Sequence, residues 1–238
     1  GRLPGYDWYV LVENDVFIRP SRPGYFERLA AVLAAQPEGS LDMAAVKLGF
    51  SDPIWMWHPA VHRVYDRVLS TFFPVVALSK RAIPYLLAER LKEQQRVRAA
   101  GIKLNGTPDP DNLMFCEAFI ASALWAARYP ITDLNLLMPG SYVEESFNTG
   151  PPQLLGDQPL EGPPDLAHPV LDDRDFLEKH LFFSWRTDAL PEFIAELRRP
   201  AWPRIPEPLL REYEQRAVDQ LAVPNTARVA ESQAAAPA

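Results

Sequence analysis

The chain has 238 residues, 47% of them hydrophobic, which is enough apolar material for a folded α/β domain. Its formal net charge is -7 and its Lys and Arg residues are scattered, which argues against nucleic-acid binding through a basic face. Its one cysteine, Cys116, excludes an internal disulfide and a zinc site built from several cysteines. No apolar stretch approaches the ~18 residues that would predict a membrane span.

The first predicted element is a strand in residues 8–13, "WYVLVE". Its residues are apolar on both faces, which is typical of a central strand in a parallel sheet. The polar residues Glu13, Asn14 and Asp15 then separate this strand from a second apolar run. An amphipathic helix is predicted in residues 25–36 from the spacing of its apolar positions.

Two further strands are predicted in the next part of the chain, in "MAAVKLGF" (43–50) and "FFPVVALS" (72–79). A long helix is predicted from about residue 80 to 100. A loop then leads into a strongly apolar helix within residues 113–129, and "ITDLNLL" (131–137) is predicted as another strand.

The last third of the chain contains a long Pro/Gly-rich loop from Thr149 to His168, a pattern typical of functional lids or disordered segments. Two or three short helices are predicted after it, around residues 172–182, 190–199 and 206–221. The low-complexity end of the chain is predicted to be disordered.

The alternation of strands and helices predicts an α/β fold with a mixed, mainly parallel sheet flanked by helices. We expect residues 1–185 to form the main, catalytic portion, and residues 186–226 to form a helical extension packed on it. Residues 227–238 would be the disordered tail.

The polar cluster of Glu13, Asn14 and Asp15 lies at the carboxyl end of the first predicted strand. Ligands bind off that edge in open α/β sheets, and carboxylates there suit a hard divalent cation. A surface turn in which Asp15 satisfies backbone groups explains the same three residues. The local pattern favours neither explanation over the other.

A strand that ends in "ENDVFI" resembles the acidic metal-binding motif, called DxD, of the GT-A glycosyltransferases, which use nucleotide-sugar donors. The resemblance implies that Asp15 binds Mn²⁺ or Mg²⁺ and that Glu13 lies near the sugar or ribose. Glu13, Asn14 and Asp15 would together contact the cofactor and donor. Asn14 departs from the commoner acidic residue at the middle position.

A second segment, "LAHPVLDDRDFLEKH", resembles the "HPVK" segment near the C-terminal end of several such families. There a histidine returns to the metal, so the resemblance implies that His168 is a second metal ligand. A neutral imidazole is an acceptable ligand for Mn²⁺ beside oxygen donors. Leu171 stands where the pattern often has lysine, so one phosphate contact is missing. A loop histidine without a metal is the alternative.

A third segment, "DNLMFCEAFIASAL", resembles the "E-x-F-x-x-T" helix of inverting members, in which a carboxylate faces the acceptor hydroxyl. Glu117 would be this carboxylate, with Asp111 as the competing candidate. A lone Glu in so apolar a helix costs several kcal/mol if it is buried without a partner. Partial burial also raises the pKa of a carboxyl, which suits a general base. Helix N-capping explains Asp111 without catalysis.

An aromatic stretch supplies candidates for an acceptor-binding wall, namely Trp55, Trp57 and His58. Aromatic faces commonly stack on sugar rings, although tryptophans are more often part of a core. Packing is therefore the stronger explanation for these three residues, and acceptor binding is the second one.

Together these resemblances imply a metal-dependent glycosyltransferase that transfers a sugar to a hydroxyl of a glycan or another acceptor. An inverting reaction with Glu117 as base is expected, and a retaining one stays open. The setting would be bacterial polysaccharide synthesis, in the cytoplasm or peripherally at the inner membrane. The GT-A nucleotide-binding portion before the acidic motif is missing, so we expect a C-terminal part of a longer enzyme.

Two other classes of function stay open. One is a non-catalytic carbohydrate-binding or interaction domain that keeps the fold. The other is a metal-dependent hydrolase, which fits less well because such enzymes usually group several His and Asp ligands, and the four histidines here are scattered.

Overall fold

The structure is a computed structural model that describes residues 5–20, 23–101, 114–147, 152–158, 164–186, 188–198 and 204–222. These residues form a mixed α/β structure. The strands are β1 (Trp8–Val12), β2 (Phe17–Ile18), β3 (Met43–Phe50), β4 (Leu69–Ser79), β5 (Ile131–Asp133), β6 (Gln153–Leu154), β7 (Leu166–Ala167) and β8 (Val170–Leu171). The helices are α1 (Tyr25–Ala34), α2 (His58–His62), α3 (Ala82–Ala99), α4 (Cys116–Ala126), α5 (Leu134–Leu137), α6 (Asp173–Arg186), α7 (Leu190–Leu197) and α8 (Glu207–Leu221), with a 3₁₀ turn at Leu155–Asp157.

The central sheet has four strands in the order β1-β4-β3-β5. β4 runs antiparallel to both of its neighbours, β1 and β3, and β5 alone joins in parallel, beside β3. The mixed α/β class is therefore confirmed, but the prediction of a mainly parallel sheet is wrong for these strands. An apolar run reports burial on both faces and not strand direction, and helices bury both faces of β3 and β4.

The two faces of the sheet carry separate hydrophobic clusters. On one face, α1 packs against β3 and β4 through Tyr25, Leu29, Leu33, Ala44, Val46, Val75 and Ala77. On the other face, α3 and α4 pack against the same strands through Met43, Ala45, Val76, Leu78, Leu86, Phe119 and Leu124. Successive residues of β3 and β4 alternate between the clusters because side chains alternate along a strand. The predictions of β3, β4, α1, α3 and α4 are confirmed.

β1 lies at the edge of this sheet, so its prediction as a central strand is wrong. Val10, Leu11 and Val12 are 38, 48 and 37% exposed. Within the described residues, no strand pairs with the side of β1 that faces away from β4. Tyr9 pairs with Leu78 and Leu11 pairs with Val76. Helices α3 and α4 cover Leu78 and Val76, but they do not extend over Leu11, which stays exposed.

The predicted strand at 131–137 is only half correct, because β5 ends at Asp133 and α5 begins at Leu134. The Asp133 side chain accepts a hydrogen bond from the Asn135 amide at 2.8 Å and so caps the helix. The predicted long loop also contains short strands, since β6 and β7 lie in its described residues and β6 pairs in parallel with β8.

The last three helices form a third hydrophobic cluster, and their predicted positions are confirmed. Buried residues from α6, α7 and α8 meet there, among them Leu177, Phe193 and Tyr213. None of the helices in the described ranges is both long and apolar enough to cross a membrane. The predicted boundary between the main portion and the helical extension stays a prediction, and residues 227–238 lie outside the described part of the chain.

Candidate metal centre

The first two residues of the site follow directly from the end of β1. The Glu13 amide donates to the Pro74 carbonyl of β4 at 2.9 Å, which continues the β1–β4 pairing by one residue. The Val16 amide then donates to the Glu13 carbonyl at 3.3 Å, so the chain turns within residues 13–16. This turn carries Asp15 away from the sheet and starts β2.

The partner segment reaches the turn through a small antiparallel ladder. Phe17 of β2 pairs with Ala167 of β7, so the residues before Phe17 lie beside the residues after Ala167. The Val170 amide donates to the Asp15 carbonyl at 2.8 Å and continues this alignment. The backbone therefore brings His168 beside the polar turn.

Glu13, Asp15 and His168 form a group that we call the acidic–histidine cluster. His168 Nε2 lies 3.2 Å from Asp15 Oδ1 and 3.7 Å from Glu13 Oε2. One ligand atom from each of the three residues lies within 4.8 Å of the others, which allows them to share one metal ion. The structure thus brings together Asp15 and His168, which the sequence proposed as metal ligands, and adds Glu13.

The His168 ring is held by two phenylalanines and is almost fully buried, at 6% exposure. Its centroid lies 5.0 Å from that of Phe72 in an edge-to-face arrangement and 5.3 Å from that of Phe147. The His168 amide also donates to the Ser146 carbonyl at 2.7 Å. These contacts restrict the ring, so Nε2 reaches the carboxylates without the entropy loss of ordering a mobile side chain.

Lys179 of α6 is a fourth polar group at the cluster, and the sequence did not identify it. Its Nζ donates to Asp15 Oδ2 at 3.2 Å, on the carboxylate oxygen that His168 does not face. The residue is part of the quoted histidine segment, but a lysine on a charged helix carries no signal of its partner. Only the orientation of α6 shows the contact.

Glu117 lies in the first turn of α4 and is oriented by β4. Its Oε1 accepts a hydrogen bond from the Phe73 amide at 3.4 Å, and its carbonyl accepts one from Thr71 Oγ1 at 3.1 Å. Burial raises the pKa of Glu117 to about 7; the Phe73 amide opposes this, and the charge of Glu13 adds to it. Glu117 is therefore close enough to Glu13 for their charges to interact.

Glu13 itself is half-exposed, and its pKa is also raised. Partial burial is the largest cause, followed by the charge of Asp15, while the Lys179 ammonium lowers the pKa. The Asp15 charge disfavours the ionisation of Glu13, which is the electrostatic situation that a bound cation relieves.

An ion pair on α3 anchors the approach to α4, and sequence reasoning missed it. Glu93 is buried, pairs with Arg90, and accepts a hydrogen bond from the Met114 amide at 2.6 Å. Arg90 donates to the Met114 carbonyl at 2.7 Å, and its guanidinium lies 4.0 Å from the Phe119 ring centroid. These contacts hold the chain just before Glu117.

The remaining predicted residues are placed less directly. Trp57 stacks on Phe115, with ring centroids 4.5 Å apart and an interplanar angle of 19°, and Trp55 packs against the same hydrophobic cluster. His58 Nδ1 lies 2.6 Å from Ser51 Oγ. Packing thus accounts for all three, and acceptor binding stays a prediction.

Asn14 and Asp111 are the other two predicted site residues. Asn14 is exposed at the turn between Glu13 and Asp15. Asp111 lies outside the described residues, so its prediction as a competing catalytic carboxylate stays open.

Comparisons with protein-family models, curated proteins and solved structures give no match to this chain.

Proposed function

We propose that this chain carries the catalytic site of a metal-dependent glycosyltransferase, which transfers a sugar from a nucleotide-sugar donor to an acceptor hydroxyl. The observation that supports this most is the meeting of Asp15, Glu13 and His168 within the reach of one cation. Glu117, a carboxyl with a pKa of about 7, lies beside them. The candidate metal site follows the end of β1, and the candidate general base lies beside the middle of β4, where Pro74 accepts from Glu13 and Phe73 donates to Glu117.

The donor set suits a particular kind of cation. Carboxylate oxygens from Glu13 and Asp15 fit Mg²⁺ or Mn²⁺, and an imidazole nitrogen from His168 favours Mn²⁺ of the two. Three protein ligands leave further positions for water or substrate oxygens. Such a cation, when bound, supplies Lewis-acid stabilisation of a departing diphosphate.

Glu117 would take the proton from the acceptor hydroxyl. The acceptor oxygen forms a bond to the anomeric carbon, the bond from that carbon to the donor phosphate oxygen breaks, and the proton moves to the Glu117 carboxylate. A base of this kind contributes about 10²- to 10⁴-fold to the rate, and a pKa near the working pH is close to ideal. A single displacement of this kind inverts the anomeric centre.

The Trp57–Phe115 stack suggests where the acceptor approaches. Phe115 directly precedes α4, so this aromatic pair borders the turn that carries Glu117. Aromatic faces there would position a sugar ring, with Trp55 and His58 farther along the same segment. This part of the proposal depends on the identity of the acceptor as a glycan.

The test is a panel of nucleotide sugars with Mn²⁺, in which nucleoside diphosphate release is measured with and without sugar acceptors. We expect acceptor-stimulated release with one donor, lost in Asp15→Asn and kept in the exposed control Asp66→Asn. Release that no acceptor stimulates would indicate hydrolysis instead. No release with any donor and acceptor would overturn the proposal and leave a binding domain.

A further inference from the structure

Lys179 and His168 divide the two oxygens of the Asp15 carboxylate between them. His168 Nε2 lies 3.2 Å from Oδ1, and Lys179 Nζ lies 3.2 Å from Oδ2. The Asp15 side chain is largely buried, whereas a third of the Lys179 side chain is exposed. An ammonium on a flexible stem can therefore exchange this carboxylate for another anion without unfolding its surroundings.

The backbone around Lys179 is held by the C-terminal helices. The neighbouring Glu178 forms two hydrogen bonds with the Arg216 guanidinium, at 2.7 and 2.8 Å, and accepts a third from the Tyr213 hydroxyl at 2.8 Å. Arg216 and Tyr213 both lie on α8. These contacts fix the position of α6, so that Lys179 presents its charge at the cluster from a rigid element.

The formal charge of Glu13, Asp15 and Lys179 reverses sign when a divalent cation binds, with the neighbouring Glu117 left out of the count. Glu13, Asp15 and Lys179 together carry one net negative charge, with His168 counted as the neutral imidazole that a metal ligand must be. A divalent cation on the acidic–histidine cluster changes this to one net positive charge. The metal-free site thus attracts a cation, and the loaded site, more positive by two charges, accepts an anion more readily.

We propose that Lys179 is the second cationic group of an ordered binding site for a diphosphate. In the metal-free protein the ammonium pairs with Asp15. After the cation has bound, the Lys179 ammonium releases Asp15 and donates to a phosphate oxygen of the ligand. This inference deepens the proposed function, on which it rests for the identity of the ligand as a diphosphate, and it assigns that contact to α6.

The test measures two affinities in the full chain by calorimetry: that of Mn²⁺ alone, and that of inorganic pyrophosphate at saturating Mg²⁺. Lys179→Met is expected to raise Mn²⁺ affinity about threefold or more, because it removes a neighbouring positive charge. It is expected to lower pyrophosphate affinity about tenfold, because it removes a charge-assisted hydrogen bond. Lys179→Arg should restore most of the pyrophosphate affinity.

The matched control is Lys92→Met, which removes an exposed lysine that pairs with Glu89 on α3 and should change neither affinity. Chelation of Mg²⁺ by pyrophosphate is the same in every sample and cancels in the comparison. A Lys179→Met protein with unchanged pyrophosphate affinity, or with weaker Mn²⁺ binding, would overturn the proposal. So would a wild-type chain that binds no Mn²⁺.

These affinities and the nucleotide-sugar panel together separate this inference from the glycosyltransferase proposal. One outcome is that Lys179→Met changes both affinities as expected while the wild-type chain transfers no sugar from any donor. That result would support the role of Lys179 in diphosphate binding and overturn the glycosyltransferase proposal. Sugar transfer together with a pyrophosphate affinity that does not depend on Lys179 would support the glycosyltransferase proposal and overturn the role of Lys179.

Discussion

His168 Nε2 lies 3.2 Å from Asp15 Oδ1, although Asp15 lies between the first two strands of the chain and His168 lies between the last two. The short β2–β7 ladder produces this contact, because Phe17 pairs with Ala167 and aligns the residues that flank them. The contact is thus built from backbone pairing and does not depend on two flexible side chains meeting at the surface.

Removal of the imidazole should weaken metal binding at the acidic–histidine cluster while leaving the fold intact. His168→Gln keeps a polar side chain between Phe72 and Phe147 but replaces the nitrogen ligand. We expect Mn²⁺ affinity to fall by about 100-fold, since a lost ligand should cost at least as much as a lost outer-shell partner. Electron paramagnetic resonance of free Mn²⁺ measures this directly. Unchanged affinity, with Asp66→Asn as the reference, would place the cation elsewhere.

The stability of the fold should depend on pH through Glu117. An unfolded carboxyl loses its proton near 4.5, but the folded Glu117 keeps its proton until about 7. Between these values the folded state binds more protons, so its stability falls as the pH rises, by at most ~3 kcal/mol. Glu117→Gln should therefore be stabilised relative to wild type at pH 8 more than at pH 5. Melting temperatures at the two pH values measure this, and an equal difference at both would contradict the account.

Catalysis should respond to the same carboxyl with the opposite sign. A general base works only when ionised, so kcat/KM for sugar transfer should rise with pH through a limb at or below pH 7, since a cation bound nearby lowers the pKa of Glu117, and then level off. Glu117→Gln should lower kcat about 10²- to 10⁴-fold, with little change in Mn²⁺ affinity, and should lack this limb. An unchanged kcat in Glu117→Gln would contradict the role of Glu117 as the base and would favour Asp111.

The cluster formed by α6, α7 and α8 should contribute strongly to the stability of the helices that carry Lys179. Leu177 is fully buried there, and Leu177→Ala should cost about 2–5 kcal/mol of unfolding free energy. The exposed Leu221 on α8 provides a matched control, for which Leu221→Ala should cost less than about 1 kcal/mol. Urea unfolding measures both, and similar small values would indicate that α6 is not held by this cluster.

The sequence predicted the residues of the acidic–histidine cluster better than the direction and order of the strands in the sheet beside it. Glu13 and Asp15 follow an apolar strand, where burying a polar group without a partner costs free energy. A bound ligand or a turn at the surface is therefore the expected reason for these residues. The direction of β4 left no comparable trace, because its residues are buried on both faces whether its neighbours are parallel or antiparallel. The edge position of β1 was missed because its apolar residues predict burial, whereas Val10, Leu11 and Val12 are partly exposed.

Lys179 and the Arg90–Glu93 pair could not be predicted because their roles depend on tertiary packing. Lys179 reaches Asp15 only because α6 is oriented by its contacts with α7 and α8. Glu93 holds Met114 from a different helix, and its sequence neighbours look like those of any charged helix surface. Glu117, by contrast, stood out because a charge in an apolar helix needs a reason.

The most direct test of the central claim is anomalous diffraction at the manganese edge from crystals of the chain soaked in Mn²⁺. The account predicts one strong manganese peak bonded to Asp15 and His168, with Glu13 in contact with the ion or with a water bound to it. A manganese peak at another place, or an ordered cluster that binds none at saturating Mn²⁺, would contradict it.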